Sequence, residues 1–301
     1  MKKLFTLIIL SLFITPELSS RAPDILTVKG DNTFEITLLA IEKMGGMQRF
    51  VKEGQTVGIL VNSGFREKGA YVDPDVVIAA IKTVFEAGAD SIVFIQHIDD
   101  EYWERSELYE EYKDLIKKAG TVEANKFPAV FNEEFFVKYP EIEGAKAINW
   151  ELEIVKDFFE VDVFINIPIA KHHSLTTLTN AMKNLMGINT RASNVKFHLD
   201  GPSRNDPVFL AQSIVDLNLI RKADLIISDM THVITTNGPG GPGEIVSPLK
   251  VVVSTDPVAI DAFCAQEIGF FIDDVLTISL GHEAGLGKID LEQINIVEIE
   301  N

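Results

Sequence analysis

The sequence predicts an α/β fold, a mainly parallel sheet with helices on both faces in three layers, carrying an acidic helical insertion. Two observations predict it. Short apolar runs alternate with segments of helical period from about Phe34 to Ile299, and strands that alternate with helices imply a parallel sheet covered on both sides. No repeat, low-complexity tract or Gly/Ser linker divides the 301 residues. One α/β domain over 23–301, with an insertion at about 99–149, is therefore the simplest organisation.

Taken in order, 34–50 has helical period and 56–61 is a strand. Pro74 opens a helix over 74–87, since its fixed φ suits the first helical position. A strand follows at 91–96, an acid-rich helical stretch at 102–119, and an ambiguous segment at 127–139. A second block begins near Trp150: a strand at 161–167, then a helix continuing from Ser174 to Met182. Pro207 starts a helix within 206–221, Ala223 to Asp229 is a strand, and Leu249 to Ser254 another. Pro257 to Ile268 and Asp274 to Gly281 read as helices, and Ile294 to Ile299 as the last strand.

Met1-Lys2-Lys3 and the apolar run Leu4 to Ile14 match a secretory signal peptide ending near Ala22, and the run is short for a membrane span. Export to a periplasmic or extracellular space is the expectation, with an uncleaved anchor as the other outcome and no transmembrane span after cleavage. The net charge of -18 argues against a nucleic-acid partner but allows a small anionic ligand in a local basic pocket. The acids at 99–101 and 107–111 read as a solvated face. Cys264 is the lone cysteine, so a disulfide within the chain, an iron–sulfur cluster held by cysteines and structural zinc on cysteines are excluded. It reads as a small buried hydrophobe.

The candidate site is Lys171-His172-His173-Ser174, followed by Asn180, Lys183, Asn184 and Gly187. It directly follows the apolar run Val161 to Pro168, and ligands in open α/β sheets bind beyond the C-terminal ends of strands. A helix continuing from Ser174 would set Asn180, Lys183, Asn184 and Gly187 on one face. Lys171 and Lys183 supply positive charge for a carboxylate, a phosphate or a developing oxyanion, and His172 or His173 a group titrating near neutral pH. If the whole sheet is parallel, Asn62, Asp229 and Asp256 emerge on the same edge. Asn62, Ser174, Asn180 and Asn184 are then candidates to orient a substrate, with Asn237, Gly238 and Gly240 of the loop Asn237-Gly238-Pro239-Gly240-Gly241-Pro242-Gly243. That loop matches neither a dinucleotide fingerprint nor a P-loop, and reads equally as a ligand loop or an ordered turn. Asp256 reads equally as a helix N-cap before Pro257. Six histidines raise a divalent metal, with His198 and Asp229 as candidate ligands, although no His-x-x-x-His pair exists.

At these residues the chain resembles the domain of unknown function 362 family. The resemblance rests on Ile165-Asn166-Ile167-Pro168-Ile169-Ala170-Lys171-His172-His173, Ala181-Met182-Lys183-Asn184-Leu185-Met186-Gly187, Asp216-Leu217-Asn218, Asp224 to Asp229, Asn237 to Gly241, Ser254 to Ala262 and Ala284 to Gly287. It implies a fold over about 34–299 rather than an activity. Many relatives carry ferredoxin-type cysteines, which this chain lacks. Where relatives tend to have Lys-Pro-Asn after the first strand, this chain has Leu60-Val61-Asn62, keeping the asparagine without the basic contact. A fainter likeness, confined to the lysine-and-glycine stretch, is to the nickel-pincer lactate racemases and implies a test for nickel.

Three readings follow from the residues: an enzyme acting on a small anionic substrate in one crevice, a binding protein that captures an anion or metal, or lysines buried as ion-pair partners of Asp229 and Asp256. The sequence leaves the substrate, the reaction and the oligomeric state open.

Overall fold

Runs of β-branched and aliphatic residues, buried on both faces, form the centre of the sheet. Val163–Ile167 is buried at every residue, as is Leu225–Met230. The computed structural model describes residues 22–121 and 131–301; the expected signal peptide lies outside them. Eight strands make the main sheet: β1 (Ile25–Lys29), β2 (Thr56–Val61), β3 (Ser91–Phe94), β4 (Gly120–Thr121), β5 (Val163–Ile167), β6 (Leu225–Met230), β7 (Lys250–Ser254) and β8 (Ile296–Glu300). Their order is β8-β1-β7-β6-β5-β2-β3-β4. The helices Thr33–Lys43, Pro74–Glu86 and Tyr109–Lys118 pack on one another, and Pro207–Asn218, Pro257–Glu267 and Leu276–Glu283 form a second set.

The α/β, mainly parallel reading therefore holds. Three helices start at an Asp-Pro step, with Asp73, Asp206 and Asp256 accepting backbone N–H bonds ahead of Pro74, Pro207 and Pro257. Each aspartate satisfies donors that the first turn would leave free, and the proline lacks the N–H that would go unpaired. β1 has no counterpart in the sequence reading. It sits between β8, to which it is parallel, and β7, to which it is antiparallel.

Three expectations are corrected. β7 runs antiparallel to both β1 and β6, with Ser254 opposite Ile226 and Lys250 opposite Met230. Its C-terminal end thus lies at the opposite rim from those of β2, β5 and β6, and takes Asp256 there. The expected helix from Ser174 is instead a hairpin: Lys171–His173 pairs antiparallel with Thr177–Thr179, and helix begins only at Ala181. Threonines favour extended backbone, and the His173 side chain ties the turn by accepting the N–H groups of Leu175 and Thr176. The acidic insertion is helical at Asp100–Trp103 and Tyr109–Lys118, but also supplies edge strand β4, and Phe136–Tyr139 pairs with Leu152–Val155.

The buried carboxylate of Asp216 anchors the end of that insertion. Its Oδ2 accepts the N–H groups of Lys146, Ala147 and Ile148 at 3.0, 2.6 and 2.9 Å. Asp216→Ala is expected to lower the free energy of unfolding by at least about 3 kcal/mol, because several buried donors lose a charged acceptor. Urea midpoints check this, and a loss below about 1 kcal/mol would refute the anchoring role.

Candidate functional site

Beyond the paired C-terminal ends of β2 and β5, the segments that leave them line a cavity of ≈ 290 Å³. After β2 the chain passes through Asn62, Gly64 and Phe65; after β5 it turns at Pro168 into the Lys171 hairpin. Pairing sets Lys171 opposite Thr179, with His173 two residues on. Side chains alternate along a strand, so Lys171, His173 and Thr179 share a face. All three line the cavity, whereas His172 does not.

Lys171 has no solvent exposure. Its Nζ donates to the Ala70 carbonyl and to Asn62 Oδ1 at 3.5 Å, and lies 3.8 Å from the centre of the Phe65 ring. Two oxygens and an aromatic face suit an ammonium. Burial, with the nearby charge of Lys183, nevertheless pulls its pKa down to about 7. Lys183 sits on the short helix Ala181–Asn184, its Nζ 3.3 Å from the thioether of Met186, and burial lowers its pKa to about 8. Among the described residues no carboxylate lines the cavity.

That short helix is fixed from three sides. Asp261, buried on Pro257–Glu267, accepts the N–H groups of Ala181 and Met182 at 2.8 and 3.2 Å. Asn166 on β5 donates to the Ala181 carbonyl and accepts from Asn184 Nδ2 at 2.7 Å. Asn218 donates to the Met182 carbonyl at 2.9 Å. Lys183 therefore projects from backbone that is satisfied on every side.

His173 is a neutral imidazole. Its Nδ1 accepts two backbone N–H bonds, which puts the ring proton on Nε2. Burial, then the charges of Lys183 and Lys171, lower its pKa to about 2. In this setting the ring is held as a hydrogen-bond donor through Nε2. The ring of His172 turns to the glycine loop, where Nδ1 accepts the Gly238 N–H at 2.9 Å. A Cβ on Gly238 would lie 1.7 Å from the His172 carbonyl oxygen, so the glycine serves chain-to-chain contact. Gly240 packs on Phe65, Asn237 donates to the Pro242 carbonyl, and it is Pro239 that reaches the cavity.

Other predicted residues lie elsewhere. Ser174 is exposed at the hairpin turn. Asn180 is buried and accepts from Ser228 at 2.7 Å. Asp256 caps Pro257–Glu267 and accepts the Lys288 N–H, at the far rim. The metal candidates do not meet: His198 bonds Asn205, while Asp229 is buried and accepts from the Asp73 N–H and from the Thr231 N–H and hydroxyl. Burial and Asp73 raise its pKa to about 7 against those three bonds. Among the described residues no three His, Cys, Asp or Glu side chains gather as metal ligands. The donors at hand do not fit nickel or another divalent ion.

A family model described as "domain of unknown function (DUF362)" matches residues 57–266. The chain belongs to this family. The DUF362 match contains every residue that lines the cavity, while β1 and β8 fall outside it. No curated protein matches the chain. Among solved structures it is similar to the lactate racemase apoprotein from Thermoanaerobacterium thermosaccharolyticum, at 15% identity and a TM-score of 0.49, over 81% of this chain and 57% of that one. It is also similar to a protein from Thermotoga maritima, at 13% identity and a TM-score of 0.40, over 85% of this chain and 60% of that one. The chain thus spans less than two thirds of either.

Within the DUF362 cavity the sequence reading missed Phe65, Gln96, Thr179, Met186 and Pro239. Phe65 and Gln96 follow strand ends, where a polar or aromatic residue could have been scored as Asn62 was. Thr179 needed the hairpin register. The glycine loop yields a ranking: Gly238→Ala is expected to destabilise by at least about 2 kcal/mol through backbone displacement, and Gly240→Ala by less, because its neighbour is a side chain. Equal losses in urea unfolding would refute the close-approach role of Gly238.

Proposed function

We propose that the crevice binds a small anionic ligand between Lys171 and Lys183. One observation carries this reading: two lysine side chains line a cavity that, among the described residues, no carboxylate lines. Buried amines normally have an acidic partner, and here a ligand would complete the site. His173 Nε2–H adds a neutral donor, and the Asn184 amide is held in the wall by Asn166. The ion-pair reading loses support, since Asp229 is occupied by backbone and hydroxyl donors and Asp256 sits at the far rim. Catalysis by proton transfer would fall to a lysine, because Lys171 titrates near neutral pH and His173 does not.

Inorganic sulfate, whose charge is constant across neutral pH, is the probe. Lys183→Ala and Lys171→Met should each weaken its binding at least about tenfold by calorimetry, in line with loss of a charge-assisted contact, with circular dichroism confirming folded protein. Unchanged affinity in both variants would refute the site. The pH dependence has a fixed sign. An anion needs the ammonium forms, and their pKa values are lowered to about 7 and about 8. Affinity should be full below about pH 7 and fall through pH 7–8; affinity that rises with pH would contradict the assignment.

A further inference from the structure

We propose that Lys183 is an imine-forming lysine, so that the anionic ligand also carries a carbonyl group and is a small 2-oxo acid or aldehyde acid. The inference deepens the anion-site reading and rests on it. The two lysines differ in what their amines touch. The hydrogens of Lys171 are committed to the Ala70 carbonyl, Asn62 Oδ1 and the Phe65 face. Those contacts fix the Lys171 amine in place and spend its hydrogens, so it serves as an anchored donor to the anion. Its 3.5 Å contact to Asn62 is the weakest, and is the one a ligand oxygen could replace.

The Lys183 amine contacts the thioether of Met186, a weak acceptor that does little to hold a proton on nitrogen. Desolvation in an apolar setting is one arrangement that frees a lysine for covalent catalysis, and burial lowers the Lys183 pKa to about 8. Positioning is supplied by Asp261, Asn166 and Asn218, which hold the backbone of Ala181 and Met182 just ahead of the lysine.

Thr179 gives an independent sign of a ligand. Thr179 lines the cavity, and its buried hydroxyl has no hydrogen-bond partner, a costly state that a small shift toward a ligand atom would end. The hydroxyl and His173 Nε2–H are the neutral donors available to the oxygen of a reacting carbonyl. At ≈ 290 Å³ the cavity suits an acid of a few carbons.

The step balances without an oxidant or reductant. The free amine of Lys183 attacks the carbonyl carbon, a C–N bond forms, and the carbonyl π electrons move to oxygen, which receives a proton from the nitrogen. The carbinolamine then loses its hydroxyl with the second nitrogen proton as water, leaving a C=N bond. Protonation of that nitrogen from solvent gives the iminium.

Trapping tests it. The full chain is incubated with pyruvate or glyoxylate and sodium cyanoborohydride at about pH 7, where sulfate still binds, then digested and mapped by mass spectrometry. The expected result is one reduced adduct per chain on Lys183, formed at least tenfold faster than on exposed Lys138 and suppressed by excess sulfate. Lys183→Arg should abolish it, and Thr179→Val should slow it with the thermal midpoint retained. Labelling of Lys183 no faster than Lys138 overturns the proposal. If wild-type protein still binds sulfate in that case, only the imine is lost; if it binds neither, the anion site falls too.

Discussion

Placing a buried lysine and a half-buried one in one cavity wall, with no carboxylate among its described residues, is the constraint to which the surrounding structure answers. An isolated ammonium moved out of water loses far more solvation than one contact returns. Lys171 recovers part of it from the Ala70 carbonyl, Asn62 and the Phe65 ring. Phe65 in turn is backed by Gly240, whose missing side chain lets the loop close on the ring. The loop is tied by the Gly238 N–H to His172, the residue next to Lys171. Even Asp229 contributes in this way: it holds the Asp73 N–H and the Thr231 turn, and Asp73 opens the helix that follows the Ala70 loop. Its carboxylate braces the wall instead of neutralising it.

Much of this architecture was legible from residues alone. Apolar runs located β2, β5 and β6 to within two residues, since a strand buried on both faces has no alternation to blur its ends. Prolines located three helix starts, and at Asp256-Pro257 the cap added a second local reason. The crevice followed from these: once β5 ended at Pro168, Lys171 had to lie near the strand C-termini. What stayed hidden was set by pairing. Nothing in Lys250 to Ser254 states its direction, and a half-buried lysine followed by four buried residues reads alike both ways. Reversal of that one strand sends Asp256 to the other rim.

The hairpin teaches the same lesson at shorter range. Lys171 to Asn180 as a helix would scatter its polar groups by a period of 3.6; as a strand it sorts them by two. Period two takes Lys171 and His173 to the cavity and His172 to the glycine loop, resolving which histidine faces the site. The decisive signal was the pair Thr176-Thr177 beside His173, a short β-branched stretch whose turn is closed by a ring nitrogen. Composition hinted at it, but only the His173 bonds to Leu175 and Thr176 fix it. Asn180 was drawn into the predicted site by helical spacing, and leaves it for the same reason: it is the last residue before helix, turned to Ser228.

Stability and ligand capture are coupled through the lysines with a definite sign. The Lys171 pKa falls from 10.5 in the unfolded chain to about 7 in the folded one. Above 10.5 both states are neutral and the group takes no part. Between 10.5 and about 7 the unfolded chain binds the extra proton, so stability falls as pH falls, and below about 7 the penalty is fully present. A bound anion favours the ammonium and removes that penalty over the same range. On the proposed anion site, a ligand would relieve a penalty that the free protein carries as uncompensated charge. Such a site gives up folded-state stability to keep its amines unpaired, and the hydrogen bonds of Asp261, Asn166 and Asn218 around Lys183 offset that loss while leaving the amine itself free.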